Sequence, residues 1–362
     1  MSGHDWVQAV VRSYPGATVP ELATSRATGR TILTAGADAP LVIWAVSDGR
    51  AGMRDQVLGL AEAVARRRPA QTIPKTVAWR AGIGRGPTFL NLAPRLTLAP
   101  SSGVAPPWPD IWIAAGRATL PLSVRIGRWS HGRAFVVQTQ DPRMSPSRFD
   151  LVVAPAHDEL SGANVFPIAG APHRVTPERM AAERARFSSL IEPLPRPRVA
   201  VLIGGTSKAF KLPAERAAAM ALEIRHALQE AGGSLMLTFS RRTPAPARAA
   251  LTAGLGELPG IIWDETGENP FFAFLGAADA VLVTEDSANM ATQAAATGKP
   301  VMILKMAGES AKFSRFHADL AAREAARPFA GAIGSWSYPP LAETDRAAGE
   351  ILRRYDAREV AP

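Results

Sequence analysis

The sequence DAVLVTEDSANMATQAAATGKPVMIL, which covers residues 279–304, decides the fold of this chain. Its two apolar runs, Ala280–Thr284 and Val301–Leu304, are rich in β-branched residues and predict buried parallel strands. Ser287 can cap a helix over Ala288–Ala296, and a Thr-Gly pair after that helix supplies a stop. The stretch therefore predicts a βαβ unit with very short connections.

The turn before this helix has the features of an anion site. Asp286, Ser287, Asn289 and Met290 lie where the helix begins, just past the carboxyl end of a strand. Backbone N–H groups in the first turn of a helix lack intrahelical acceptors, and the helix dipole adds positive charge there. We expect the amides of Ser287, Asn289 and Met290 to suit a phosphate, although an ordinary capped helix would show the same pattern.

Length and composition indicate a globular protein with two domains. The chain has 362 residues, of which 47% are hydrophobic and 20% charged, and it has no cysteine. One core rarely extends over so many residues, and a lack of cysteine suits a reducing compartment. No apolar run is long enough to span a membrane, and the first residues lack a signal-peptide core. We therefore expect a cytoplasmic protein, either soluble or peripheral to the inner membrane.

The positive charge of the chain is compatible with three classes of binding partner. A net charge of +9 and a pI of about 10.5 suit nucleic acid, anionic membrane or phosphorylated ligands. No nucleic-acid-binding motif is present, so we do not expect nucleic acid as a partner. Most of the arginines are scattered, as on solvated helix faces.

The first half of the chain repeats strand, turn and helix. We expect residues 1–39 to be a poorly ordered lead-in. A strand over Leu41–Val46 then passes through a glycine-containing turn into a helix over Met53–Arg67. Asp48 and Arg50 lie in that turn, at the carboxyl end of the strand, where open α/β sheets bind ligands. A plain strand–helix turn capped by Asp48 would have the same sequence.

The segment from Arg80 to Pro109 has no regular period and interleaves basic residues with phenylalanine and leucine. Such a segment can be a surface that contacts a membrane or a lipid-linked acceptor. It can equally be a loop with one short helix packed on the domain.

Strands and helices alternate along the rest of the chain, which predicts mostly parallel sheets. A proline-rich linker over Glu192–Arg198 separates the two halves. We expect an N-terminal domain over residues 40–190, a C-terminal domain over residues 198–336, and a last helix within residues 337–362 that crosses back to the first domain. The predicted fold class is α/β, with two Rossmann-like, doubly wound parallel-sheet domains facing a cleft.

The second domain has three loops suited to an anion, each at the end of a strand. Glycine allows close backbone approach, hydroxyl side chains donate hydrogen bonds, and arginine adds charge-assisted bonds of about 1.5–3 kcal/mol each. The candidate contacts are Gly204, Gly205, Thr206, Ser207, Ser240, Arg241, Arg242, Asp286, Ser287, Asn289 and Met290. Three such loops together predict a diphosphate site.

Seven blocks of the sequence carry a resemblance to a known family. They are SDGRAGMRDQVLGLAEAV at Ser47–Val64, PDIWIAAGR at Pro109–Arg117, PAHDEL at Pro155–Leu160, IGGTSK at Ile203–Lys208, FSRRTP at Phe239–Pro244, ENPFFAFLGAAD at Glu268–Asp279 and TEDSANMATQAAATGKPV at Thr284–Val301. In these blocks the chain resembles the bacterial branch of the mitochondrial-fission (elongated-mitochondria) family, whose members look like GT-B glycosyltransferases.

This resemblance implies a GT-B-type glycosyltransferase that moves a sugar from a UDP-linked or other nucleoside-diphosphate donor to an envelope or lipid-linked acceptor. It implies no metal and no separate cofactor, in keeping with the absence of an Asp-x-Asp motif. The last block is also similar to the sugar-nucleotide motif of the peptidoglycan N-acetylglucosaminyl transferase, where an acidic residue contacts the ribose. This chain has Gln293 near that position, which leaves the ribose contact open. The matching block at Glu268–Asp279 adds Asn269 to the expected nucleotide contacts.

A transferase of this kind needs a base in the first domain. His157 with Asp158 is the first candidate, because it follows a strand and because histidine titrates near neutral pH. Asp48 is the second candidate, and Arg50 and Arg117 are the expected cations of the cleft. A capping or structural role for His157 explains the sequence equally well.

Two other functions fit the same architecture. One is a sugar-nucleotide epimerase, which would isomerise the donor without transfer. The other is a non-catalytic adaptor that kept the fold and recruits a division protein or binds a membrane. The adaptor would have no affinity for nucleotides, whereas both enzymes would.

Overall fold

The computed structural model describes residues 39–80 and 97–360 of the chain. All but the last residue of the predicted lead-in, and residues 81–96 of the irregular segment, lie outside the described residues.

Apolar runs in the first half form one parallel sheet. Its strands are β1 (Leu41–Ser47), β2 (Ala70–Thr76), β3 (Ile111–Ala115), β4 (Phe135–Thr139), β5 (Leu151–Pro155) and β6 (Val165–Ile168). They lie in the order β2-β1-β3-β4-β5-β6. Every residue of β3, β4 and β5 is buried, as expected for parallel strands with both faces covered.

The second half forms a similar parallel sheet. Its strands, together with one separate two-stranded pair, are β7 (Arg198–Ile203), β8 (Phe210–Lys211), β9 (Ser234–Phe239), β10 (Gly260–Ile262), β11 (Ala280–Thr284), β12 (Val301–Leu304), β13 (Ala307–Gly308) and β14 (Ala326–Pro328). The sheet order is β10-β9-β7-β11-β12-β14, while β8 and β13 pair antiparallel beside it.

Helices connect the strands and cover both sheets. They are α1 (Ala51–Arg67), α2 (Leu120–Trp129), α3 (Pro177–Arg186), α4 (Ser188–Ile191), α5 (Ala214–Ala231), α6 (Ala245–Leu255), α7 (Phe271–Ala277), α8 (Ala288–Ala295), α9 (Ala311–Ala322) and α10 (Glu343–Val360). Short 3₁₀ turns follow several strands, among them Arg117–Thr119 and Ala156–Asp158.

Both faces of each sheet carry a hydrophobic core. On β3, Ile113 packs into the core on one face and Trp112 into the core on the other. On β11, Val281 and Leu282 divide in the same way. The predicted α/β class, with two doubly wound parallel-sheet domains, is therefore confirmed.

The last helix returns to the first domain. On α10, Ala348, Ile351 and Tyr355 share a core with Val57 and Leu60 of α1. The last helix thus packs on the first sheet, whereas Tyr338 and Leu341, which precede it, belong to a core of the second sheet.

The chain leaves the first domain earlier than the expected boundary at residue 190. Val175 and Ile191 belong to a core of the second sheet, and α3 packs on α7. A side chain at Gly276 of α7 would lie 2.7 Å from the backbone oxygen of Met180, so this helix contact is very close. The proline-rich linker marks the start of β7 and not the point where the chain changes domain.

Candidate functional site

The first candidate element is the turn between β1 and α1. Asp48 accepts hydrogen bonds from the Arg50 backbone N–H at 3.2 Å and from its Nε at 2.8 Å. A Cβ at Gly116, which follows β3, would lie 3.0 Å from Oδ2 of Asp48. Asp48 is therefore held between the carboxyl ends of two adjacent strands. The expected cleft cations Arg50 and Arg117 are both exposed, and Arg50 is paired with Asp48.

The first turn of α1 has unpaired backbone donors. Arg50 precedes the helix in extended conformation and gives no side-chain cap. Among the described residues, the N–H groups of Ala51, Gly52 and Met53 have no acceptor. This end of α1 therefore has the donors and the dipole charge that attract an anion.

The second element is the turn between β11 and α8. Ser287 accepts a hydrogen bond from the Met290 N–H at 3.3 Å, so this amide is used by the cap. The described part of the chain offers no acceptor to the N–H groups of Ser287, Ala288 and Asn289. The expected amide donors at this turn are thus available at Ser287 and Asn289, but not at Met290.

These two helix ends meet across the domain interface. A Cβ at Gly52 would lie 2.7 Å from Nδ2 of Asn289, so a side chain there would displace the Asn289 amide. Gln56, one turn into α1 and fully buried, donates from Nε2 to Oδ1 of Asn289 at 2.9 Å. Its Oε1 accepts from Nε2 of Gln140 at 3.0 Å. The first turns of α1 and α8, one from each domain, therefore contact each other through Gly52, Gln56 and Asn289.

Gln56 was not among the site residues expected from the sequence. The only available signal was its place in the block at Ser47–Val64, because its partners Gln140 and Asn289 are remote in sequence. A buried glutamine whose amide nitrogen and oxygen are both hydrogen-bonded fixes the relative position of the groups around it. Gln56 therefore helps to fix the position of one domain relative to the other, next to the N-termini of α1 and α8.

The glycine loop after β7 differs from the expectation. All four of its amides donate within the protein: Gly204 to Oγ1 of Thr284 at 2.7 Å, Gly205 to Oδ2 of Asp286 at 3.1 Å, Thr206 to the backbone oxygen of Arg242 at 3.1 Å, and Ser207 to that of Phe210 at 2.8 Å. The expectation that this loop offers free amides to a phosphate is wrong for this conformation. The physical reasons differ along the loop: the side chains of Thr284 and Asp286 accept from the two glycine amides, and backbone carbonyls accept from Thr206 and Ser207.

Side chains after β9 complete this edge of the second sheet. Arg242 pairs with Asp286 at 2.8 Å, and its backbone N–H donates to Oγ of Ser240 at 3.0 Å. Arg241 is exposed and has no ion-pair partner among the residues that the structure describes. Arg241 is therefore the arginine of this pair that remains available to a ligand.

Two further candidate residues belong to helices of the second domain: Asn269 lies just before α7, and Gln293 lies within α8. Asn269 is exposed, and its Oδ1 accepts from the Phe271 N–H at 2.9 Å at the start of α7. Gln293 is buried on α8, five residues after Ala288, where this helix begins. Asn269 thus has a structural role, and its expected nucleotide contact stays a prediction.

His157 lies in a contact between the domains. Its ring centroid is 5.0 Å from that of Phe316 on α9, and burial lowers the pKa of His157 to about 4. Asp158 forms an ion pair with Lys312, and Glu159 forms one with Arg315 at 2.9 Å. The structure therefore places the expected base against α9, with its acidic neighbours already paired.

No helix within residues 39–80 and 97–360 is both long and apolar enough to cross a membrane.

Comparison with known proteins agrees with this architecture. The family model described as mitochondrial fission ELM1 matches residues 51–355. The mitochondrial fission protein ELM1 of Arabidopsis thaliana is 31% identical over 277 residues, which are 69% of this chain and 65% of that protein. The chain thus spans slightly less than two thirds of that relative. An uncharacterized protein of Rickettsia prowazekii is 25% identical over 285 residues, 68% of this chain and 79% of that protein.

Among solved structures, the UDP-GlcNAc 2-epimerase from Methanocaldococcus jannaschii is similar to this chain with a TM-score of 0.50. The alignment covers 86% of this chain and 100% of that chain, at 11% identity. A likeness at this identity concerns the fold alone, and it identifies the arrangement as GT-B-like.

Proposed function

The chain belongs to the mitochondrial fission ELM1 family, and we propose that it is a GT-B-type glycosyltransferase that works without a metal ion. The donor is a nucleoside-diphosphate sugar, UDP-linked, and the acceptor is a lipid-linked or envelope molecule. One observation carries the proposal: the N-termini of α1 and α8 meet from the two domains at Gly52 and Asn289.

Two helix ends suit the leaving group of such a transfer. Each helix presents unpaired N–H groups and about half a positive charge from its dipole. The charge that develops on a leaving diphosphate is stabilised by preorganised donors of this kind, which takes the place of a metal ion. Arg241, exposed after β9, adds a cation on the same edge of the second sheet.

The first domain supplies the acceptor side, and Asp48 is the preferred base. It lies in the turn that leads into α1, and its side chain is 13% exposed. A general base must reach the proton that it removes within hydrogen-bond distance. His157 meets this condition less well because its ring is buried against Phe316.

The test is nucleotide binding and sugar transfer by the full chain. We expect UDP, tested beside GDP and CMP, to raise the midpoint of thermal unfolding by several degrees. UDP-glucose and UDP-N-acetylglucosamine, given with a membrane-lipid extract as acceptor, should release UDP. Isomerised sugar in the absence of acceptor would indicate an epimerase instead.

A pair of glycine variants tests the helix ends directly. Gly52→Val places a branched side chain where a Cβ alone would lie 2.7 Å from Asn289, and should weaken UDP binding by at least about tenfold. Gly127→Ala on α2 is the control, because a Cβ there meets nothing within 4 Å. Equal UDP affinity in both variants would show that the N-termini of α1 and α8 do not form the UDP site.

A second function is favoured by one observation. The amides of the glycine loop are all bonded within the protein, which suits a non-catalytic adaptor that kept the fold. An adaptor would bind none of the three nucleotides, so the same screen separates it from the enzyme.

A further inference from the structure

The carboxylate of Asp286 occupies the turn formed by Gly204 and Gly205, and its side chain has 0% exposure. Oδ2 accepts from the Gly205 N–H at 3.1 Å and from the Arg242 guanidinium at 2.8 Å. Oδ1 accepts from the Thr284 hydroxyl at 2.8 Å. A backbone amide, a hydroxyl and a guanidinium therefore converge on this one anion.

The turn is shaped around that carboxylate. A Cβ at Gly204 would lie 1.9 Å from Oδ1 of Asp286, and a Cβ at Gly205 would lie 2.0 Å from the backbone oxygen of Arg242. Neither position has space for a side chain. The Gly204 N–H also donates to the Thr284 hydroxyl, which in turn donates to Asp286, so both glycine amides are connected to the same anion.

The donor set around Asp286 is one that a phosphoryl group would use. Backbone amides of a glycine turn and an arginine fork bind phosphate oxygens by the same charge-assisted bonds that they make to a carboxylate. The two anions cannot share the site, because a phosphoryl group beside a buried carboxylate is repelled and finds its donors taken. Asp286 also precedes the Ser287 cap by one residue, so it lies next to the open amides of α8.

We propose that Asp286 is an internal competitor for the phosphoryl group and that it sets the affinity of the second domain for nucleoside diphosphates. A diphosphate binds the first turn of α8, and a further phosphoryl contact at Gly205 and Arg242 requires that the carboxylate leave. This inference rests on the proposed function, in that a nucleoside diphosphate is the ligand of the second domain.

The experiment is calorimetric titration of the full chain with UDP and, separately, with inorganic pyrophosphate. Asp286→Asn removes the charge at nearly constant shape, and Asp286→Ser removes most of the side chain. Asp279→Asn is the matched control. Asp279 directly precedes β11, at the opposite end of that strand from Asp286. Its carboxylate accepts a hydrogen bond from the Arg198 N–H at 2.8 Å and pairs with Arg196. Thermal unfolding of each variant establishes that it is folded.

The Asp286→Asn and Asp286→Ser proteins should both bind UDP and pyrophosphate at least about tenfold more tightly than the wild type. Asp279→Asn should bind as the wild type does. Unchanged or weaker binding by the folded Asp286 variants would overturn the proposal. So would a failure of both Asp286 variants to fold, because a carboxylate that the fold cannot lose cannot be displaced by a ligand.

These outcomes are distinguishable from a failure of the proposed function. Tighter binding by Asp286→Asn, without sugar transfer by the wild type, would support the role of Asp286 as a competitor and refute the proposed transferase activity. Sugar transfer by the wild type, with equal affinity in Asp286→Asn, would do the reverse.

Discussion

Asp48 and His157 differ in what surrounds them more than in their chemistry. His157 is buried in a domain contact beside Phe316, and burial keeps it neutral by lowering its pKa to about 4. Asp48 is held by Arg50 in the turn next to Gly116, where its side chain is 13% exposed. Sequence alone ranks the histidine first because its ordinary pKa lies near neutrality. We propose the reverse order, because Phe316 of α9, which is remote in sequence, packs against the ring of His157.

At the scale of single residues, we predict that Asp48→Asn lowers kcat for sugar transfer by about 10²–10⁴, the usual range for loss of a general base. His157→Gln should change kcat by less than about tenfold, since it alters a packing contact and not the chemistry. Asp110→Asn is the control. Asp110 lies at the amino end of β3, opposite the end near Asp48, and its carboxylate pairs with Arg133. Transfer rates measured with saturating UDP-sugar check this, and a larger loss in His157→Gln than in Asp48→Asn would contradict it.

At the scale of elements, the unit β11–α8–β12 is the one most fully determined by local sequence. The structure gives Ala280–Thr284 and Val301–Leu304 as strands, and the helix begins at Ala288 after a Ser287 cap, all as predicted. These boundaries follow from apolar runs, a capping side chain and a glycine stop, which act over a few residues. The partners of Asp286 and of Asp158 were not predictable, because Gly205 and Lys312 reach them from distant segments.

For α8 we predict two separable effects of its cap. Ser287→Ala removes the acceptor of the Met290 N–H and should cost about 1 kcal/mol of stability. It also disorders the first turn that presents the open amides, so UDP affinity should fall several-fold. Thr176→Ala removes the equivalent cap of α3, where the side chain accepts from the Arg179 N–H at 3.2 Å, and should cost similar stability without loss of affinity. Urea unfolding and UDP titration measure the two effects, and equal affinity losses would refute the assignment.

At the scale of the whole molecule, the described part of the chain crosses between the domains after β6 and again before α10, and buried polar contacts join these two crossing segments. The His173 N–H donates to Oγ1 of Thr344 at 3.1 Å, and the Ala169 N–H donates to Oε2 of Glu343 at 2.7 Å. The two-domain α/β architecture was predictable from alternating strands and helices, and the resemblance to the fission family is confirmed. The exact domain boundary was not, because contacts such as these join residues more than 170 positions apart.

His173 makes the stability of this junction depend on pH. Its side chain is 5% exposed, and burial lowers its pKa to about 4, while Asp345 raises it and Arg66 lowers it further. The unfolded chain therefore takes up a proton near pH 6.5 that the folded chain does not, so stability is full above that pH and falls as the pH decreases toward 4.

From pH 7.5 to pH 5, this histidine alone should reduce the free energy of unfolding by about 2 kcal/mol. His173→Gln should show a smaller loss over that range, whatever its stability at pH 7.5. His226→Gln is the control, because His226 is an exposed residue of α5 near Glu230. Urea unfolding at both pH values measures the difference, and an identical loss in wild type and His173→Gln would refute this prediction.

The central claim is that the N-termini of α1 and α8 together bind a diphosphate between the domains. A crystal structure of the full chain with UDP tests it most directly. We expect diphosphate oxygens within about 3.2 Å of backbone N–H groups at Gly52 or Met53 and at Ala288 or Asn289. UDP bound elsewhere on the protein, or a cleft that excludes UDP at saturating concentration, would contradict it.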